Sequence, residues 1–451
     1  MDMEDVVWNT DATYALGTYK FITWTTGTWP LQDEGIFAMI RFTIAFILEV
    51  VQYLCFKKNN KDRCKQDVPI VIGRKGNYKC FKCIKNLVSS CRLFLIRTLL
   101  PQFSLLASVL LELRLNCGNT DKTLEFFGLT AGMTTGLTKL IFVKLHQQDL
   151  RKILLSAIKD WSSIAKDSSA KEIIWKYTHR GKMVCRVQMS LGLLIIASMI
   201  MDAVPTSDFS QQDNITSSEE NLRQIPLRTM CLFGNMSMST YWTVFVLQGV
   251  QLLNSIAVNM GNDVFFFAIA MHICGQLDAL RIFCDNFKAN DEKDRVLKIE
   301  KFVRRHSHLL ELAQRLENTF ANILLVNLMT DGLHTCLAGV QILTISNKID
   351  IVPLTKVSSV IVIILAQLFL YSYAGDYLSS LFQDICQVIY NCPWYEFSPN
   401  NVRNLMFIIM RTHVPFHLTA GRFYTMDIEN FKNIVKTSFS FFSLLRIIFS
   451  E

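Results

Sequence analysis

The chain has 451 residues, 51% of them hydrophobic and only 19% charged. That much apolar surface, arranged in blocks rather than in alternation, excludes one or two soluble domains and points to a polytopic membrane protein. The net charge of +8 would suit nucleic acid, but the basic residues cluster between apolar runs, as in cytoplasmic membrane loops, which argues against such a partner.

From the N-terminus, Met1 to Glu34 carries Asp2, Glu4, Asp5 and Asp11 against a single Lys20, with no basic segment followed by an apolar core. No cleavable signal peptide is readable, so the first span has to direct insertion itself. Trp24, Trp29, Pro30 and Leu31 suit either a segment at the membrane interface or an ordinary packed pre-helix. Candidate spans follow at Gly35–Phe56, Arg92–Leu115, Leu124–Leu145, Met183–Val204, Thr240–Cys274, Thr319–Leu343 and Val357–Phe382, with a last one from Asp427 to Phe449. Each is long enough to cross about 30 Å of hydrocarbon as a helix.

Loop charge sets the orientation. The stretches Gln147–Lys182 and Leu277–Asn318 are dense in Lys and Arg and read as cytoplasmic loops, whereas Asp202–Ser239 holds only Arg223 and Arg228. That base-poor stretch also contains the sequons at Asn214 and Asn235, which are expected to be glycosylated outside the cell. Counting on, residues 384–426 fall inside and the final span ends outside. The segment from Lys57 to Lys85 complicates the start: with two crossings before it closes, the N-terminus is outside, and with one it is inside. Cys80 and Cys83 there have half the spacing of a zinc knuckle but no second pair. Nothing calls for a metal or a cofactor. Of the thirteen cysteines, Cys185, Cys274 and Cys336 lie within apolar runs and read as small hydrophobes.

The final stretch carries a stripe. Thr437, Ser440 or Phe441, Leu444 and Ile448 share one helical face. Hydroxyls at membrane depth call for a neighbouring helix or for water, so packing and a water-lined path both remain open. No nucleophile–base pair, phosphate loop or metal motif is present, so the chain does not read as an enzyme. Among ionisable residues in or near apolar runs, Asp331 and His334 can pair on one face, while Asp263 and His272 are expected to be solvated groups on a helix running past the cytoplasmic boundary.

The phrases Gln367-Leu-Phe-Leu-Tyr371, Ala374-Gly375, Tyr390-Asn-Cys-Pro-Trp394-Tyr395, Ile409-Met-Arg411, Leu418-Thr-Ala-Gly421-Arg-Phe and Thr437-Ser-Phe-Ser-Phe-Phe-Ser-Leu-Leu-Arg446 closely resemble those of the insect odorant receptors. Trp29-Pro-Leu, Ile40-Arg-Phe and Leu115-Asn-Cys-Gly118 are similar to that family's N-terminal half, so the resemblance covers nearly the whole chain. It implies an all-α protein of seven transmembrane helices, N-terminus inside and C-terminus outside, forming a single transmembrane domain over residues 1–451. One departure stands out. About fifty extra residues part Val50 from Leu100-Pro101-Gln102, so residues 51–98 read as an insertion within the first helix, such as retained non-coding sequence.

The resemblance further implies an odorant-gated, non-selective cation channel subunit that assembles as a tetramer with a co-receptor, in the plasma membrane of olfactory sensory neurons. Residues 427–449 would be the pore helix, lined by Thr437, Ser440, Phe441, Leu444 and Ile448, and residues 384–426 a cytoplasmic anchor packing on Ile299–Glu317 of neighbouring subunits. A small volatile odorant would sit in an outer-half pocket offered by Phe127, Thr130, Met133, Ile196, Met199, Tyr241, Phe245, Ile364, Gln367 and Tyr371. A gustatory-type receptor channel is the alternative, disfavoured because its usual closing phrase is replaced here by Thr437-Ser438 and Arg446-Ile447. A G-protein-coupled receptor is more distant, given the outside C-terminus and the lack of an Asn-Pro-x-x-Tyr phrase.

Overall fold

The computed structural model describes residues 10–25, 29, 103, 106–111, 120–164, 168–204, 225–227, 237–285, 292–346 and 351–450. The segment 51–98, the run Gly35–Phe56, Asn214 and Asn235 lie outside them.

The described chain is almost entirely helical, which is what apolar blocks must become where no water can satisfy the backbone. The elements are α1 (Thr10–Thr25), α2 (Thr120–Leu145), α3 (Gln147–Ile164), α4 (Ser168–Ala203), α5 (Met238–Asp285), α6 (Glu292–Ser346), α7 (Ile351–Tyr390), α8 (Pro399–Thr412) and α9 (Ile428–Ser450), with a two-residue antiparallel pair, β1 (Thr419–Ala420) and β2 (Tyr424–Thr425), before α9. Among the described residues four helices are long and apolar enough to cross a membrane, within α4, α5, α6 and α7.

The helices are longer than their apolar blocks. With its 55 residues, α6 extends about 80 Å, far beyond the ~30 Å that lipid requires. The basic stretches expected as loops at 147–182 and 277–318 are therefore helix over most of their length. The reason is that their charges occupy one side only. On α6, Phe302, Leu309, Leu312 and Leu316 are buried at helical spacing while Arg304 stands in solvent. On α3, Leu150, Ile153, Leu154, Ala157, Ile158 and Trp161 form the same kind of stripe.

The chain divides into two compact units. The first comprises residues 1–23, 141–189 and 259–451. In it α1 packs on α4: Tyr14 stacks on Trp175 at 4.2 Å, Lys171 pairs with Asp11 at 3.0 Å, and the Lys182 ammonium lies 3.1 Å from the Tyr14 ring centroid. Thr10–Thr25 is thus a helix packed on α4. Packed together in this unit are also α6 with α3, α7 and α9, and α7 with α8 and α9. The second unit comprises residues 24–140 and 190–258. Its core joins Val109, Met133, Ile196, Leu227 and Leu252, flanked by Leu106, Leu129, Met199, Ile200 and Ile256.

The root of α9 is fixed by the β1–β2 turn. Gly421 and Arg422 have φ of 64° and 68°, the consecutive left-handed pair of a type I′ turn. The Gly421 amide donates to the Ala321 carbonyl of α6 at 2.8 Å. On the other side Gly375 of α7 is buried so tightly that a Cβ would run into the Met426 carbonyl. Asp427 then caps α9 by accepting from the Asn430 amide at 2.7 Å.

Candidate ligand site and pore-helix face

The expected ligand residues fall into two groups. In the second unit, Met133 and Ile196 are core members and Met199 packs against them, so α2 and α4 bring these three together. Tyr241 is fully buried near the start of α5 and donates its hydroxyl to the Ala203 carbonyl at 3.0 Å. Its ring lies 5.9 Å from Phe245 and 5.4 Å from Trp242, forming an aromatic corner that the sequence reading had only in part. Thr130 is half-buried, and its carbonyl accepts the Thr134 hydroxyl at 2.8 Å. Phe127, in contrast, is 51% exposed.

In the first unit, Ile364, Gln367 and Tyr371 lie on α7; Ile364 is buried, and Gln367 and Tyr371 join a polar network. Gln367 Nε2 donates to Asp263 Oδ2 at 2.5 Å, and Asn327 Nδ2 donates to the Tyr371 hydroxyl at 2.8 Å. The Tyr371 ring also meets Phe266 at 5.5 Å. Their polar atoms are thereby used in tying α5, α6 and α7 together. This corrects the expectation that Asp263 is solvated: it is 5% exposed, because this part of α5 is enclosed on all sides and Gln367 of α7 supplies a hydrogen bond.

His272 is likewise buried rather than solvated. Its Nε2 lies 3.3 Å from Asp160 Oδ2, while Arg305 donates to Asp160 Oδ1 and to Gln276 Oε1, each at 2.6 Å. Burial pushes the Asp160 carboxyl up, but the His272 hydrogen bond and the charges of Arg305 and His272 outweigh it and hold the group at about 2. Sequence reasoning missed both this cluster and Lys139, which is 2% exposed on α2. Asp160 is separated from Arg305 by 145 positions, so no local spacing could reveal the pair.

On α9, Thr437, Ser440, Phe441 and Leu444 are all exposed, whereas Ile434, Val435, Ser438 and Phe442 form the half-buried side. Thr437 donates its hydroxyl to the Asn433 carbonyl at 2.8 Å and Ser443 to Phe439 at 3.0 Å. These two hydroxyls spend their protons within the helix, so neither by itself requires water there. The position of the stripe, on the side turned away from α6 and α7, is the stronger observation.

Long buried-face helices, an intramembrane polar network and a short terminal helix with one free side define the class: a polytopic all-α membrane protein. The chain belongs to the odorant receptor family, whose model, described as 7tm Odorant receptor, matches residues 119–439. That family consists of receptors and not enzymes. Odorant receptor 13a of Drosophila melanogaster is 30% identical over 196 residues, 40% of this chain and 47% of that one, so this chain spans about half the length of such a relative. Odorant receptor Or2 of Anopheles gambiae is 20% identical over 318 residues, covering 68% and 80%. The insect olfactory receptor OR5 from Machilis hrabei superposes with a TM-score of 0.64 over 92% of this chain and 99% of that one. Its complex with eugenol gives 0.62. At 12% identity this likeness speaks for the fold.

Proposed function

We infer that the chain is an odorant-gated cation channel subunit, oriented with its N-terminus inside and its C-terminus outside, which opens together with a co-receptor in the plasma membrane of olfactory neurons. The observation that carries this reading is the family match together with an α9 whose Thr437, Ser440 and Leu444 face away from its own bundle. In a ring of subunits such a side is the one free to line a shared path.

The ligand would contact Met133, Ile196, Met199, Tyr241 and Phe245. Methionine and aromatic side chains repack at low cost, which suits small volatile molecules held mainly by apolar contact. That the OR5 receptor was solved with eugenol supports a small organic ligand for this fold. Assembly finds support in the anchor segment 384–426, where Tyr390, Tyr395, Met406, Phe407, Met410 and Val414 are each at least 60% exposed or close to it, an apolar face that copies or a co-receptor would cover.

Whole-cell recording with and without a co-receptor, against panels of volatiles, tests the reading. Current only in the presence of the co-receptor is expected, and Met199→Trp should raise the half-maximal concentration of an active volatile about tenfold with surface expression unchanged. Currents that depend on a second messenger would overturn it.

A further inference from the structure

Against the half-buried side of α9 lies a cleft of about 150 Å³, lined by Thr335, Cys336, Gly339 and Ile342 of α6, Ile361 and Leu365 of α7, and the α9 positions 435, 438, 439, 441 and 442. It belongs wholly to the first unit, so it is distinct from the Met133–Ile196–Met199 cluster.

Its lining contains two hydroxyls, and both are already used. Thr335 donates to the Asp331 carbonyl at 2.7 Å and Ser438 to the Ile434 carbonyl at 2.9 Å. No carboxylate, ammonium or guanidinium belongs to the lining. The space exists because α6 presents small residues there. At Gly339 an added Cβ would stand 3.3 Å from the Phe442 ring, so any larger residue would meet that ring. With its hydroxyl protons spent on the helix backbone and three phenylalanines around it, the cleft offers mainly dispersion contacts and no charge that would hold an ionised ligand.

We propose that this cleft behind α9 is a second binding site, specific for a compact, uncharged apolar molecule of about one aromatic ring. Size guides the choice: the cleft's volume of about 150 Å³ matches that of a cavity able to take benzene. The occupant would press on Phe439 and Phe442, on the opposite side of the helix from Thr437 and Leu444. In a channel gated by α9 it would bias the gate. That consequence rests on the channel reading; the binding does not.

Photolabelling tests the binding without any current. The full-length chain, reconstituted in lipid vesicles, is irradiated with 3-(trifluoromethyl)-3-phenyldiazirine, an uncharged single-ring carbene source, and labelled peptides are mapped by mass spectrometry. Label is expected to concentrate at 335–342 and 435–442, to fall at least fivefold with excess toluene, and to fall similarly in Cys336→Phe, which fills the space. Competition by toluene needs no variant, so the test survives if Cys336→Phe fails to fold. Label spread evenly over exposed positions such as Leu333 and Val362, without competition, would mean simple partitioning into lipid and would overturn the proposal. So would undiminished label in a folded Cys336→Phe. A silent channel with competed label would count against the channel reading alone.

Discussion

Helices α5 and α7 are both long and apolar enough to cross a membrane and differ in what surrounds them. In α5, 78% of the apolar window is buried inside the protein; in α7, the more apolar of the two, the share is 28%. Apolarity therefore does not measure burial by protein here. The excess on α7 is left exposed on the chain's own surface, while α5 can carry Asp263 and His272 because protein groups surround them. A membrane protein's interior is thus the more polar side of its helices.

The sharpest way to break this comparison is to remove the same kind of atom from each helix. Phe266 of α5 is fully buried and lies 5.0 Å from Phe320 and 5.5 Å from Tyr371. Phe266→Ala should cost about 3 kcal/mol through the cavity left behind, read as a lowered melting temperature in detergent. A cost near zero would mean that lipid reaches this position.

The carboxylate beneath α5 gives a second, smaller effect. Asp160 has a folded pKa of about 2, below its ordinary value. Its contribution is present above the unfolded pKa and is lost as pH falls through the folded one. Wild type should therefore exceed Asp160→Asn by about 2 kcal/mol at neutral pH, a margin constant down to about pH 5 and vanishing towards pH 2. Thermal melts of both proteins across pH 7 to 3 would show this, and a margin that shrinks between pH 7 and 5 would place the controlling titration elsewhere. The smallest effect belongs to α7. Val362 is 62% exposed, and lipid tails are as apolar as the methyls lost, so Val362→Ala should change the melting point by less than about 0.5 kcal/mol equivalent.

Much of the fold was legible from blocks of apolar residues: the runs at Thr240–Cys274, Thr319–Leu343 and Val357–Phe382 each fall inside one helix, and Met183–Val204 overruns the end of α4 by a single residue. Helix length was not, because hydropathy averages over all sides. Arg304 and Arg305 make a segment look like a loop although Phe302, Leu309 and Leu312 keep one side buried. In the candidate ligand site, Met133, Ile196 and Met199 meet in one core cluster, which the sequence shows only as apolar positions in two separate runs. Gln367 and Tyr371 could not be assigned from type, because their partners Asp263 and Asn327 are 104 and 44 positions away.

The clamp around Gly375 and Gly421 has a mechanical consequence. Because the turn before α9 has no clearance against α7 and is hydrogen-bonded to α6, the helix behaves as a cantilever built in at Asp427. Displacement in a cantilever grows with distance from the root. Leu444 lies about 25 Å along the axis from it, so a swing of only about 5° carries that side chain roughly 2 Å. Small adjustments in how α6 and α7 hold the root are thereby magnified at the far end, and the positions nearest Asp427 scarcely move.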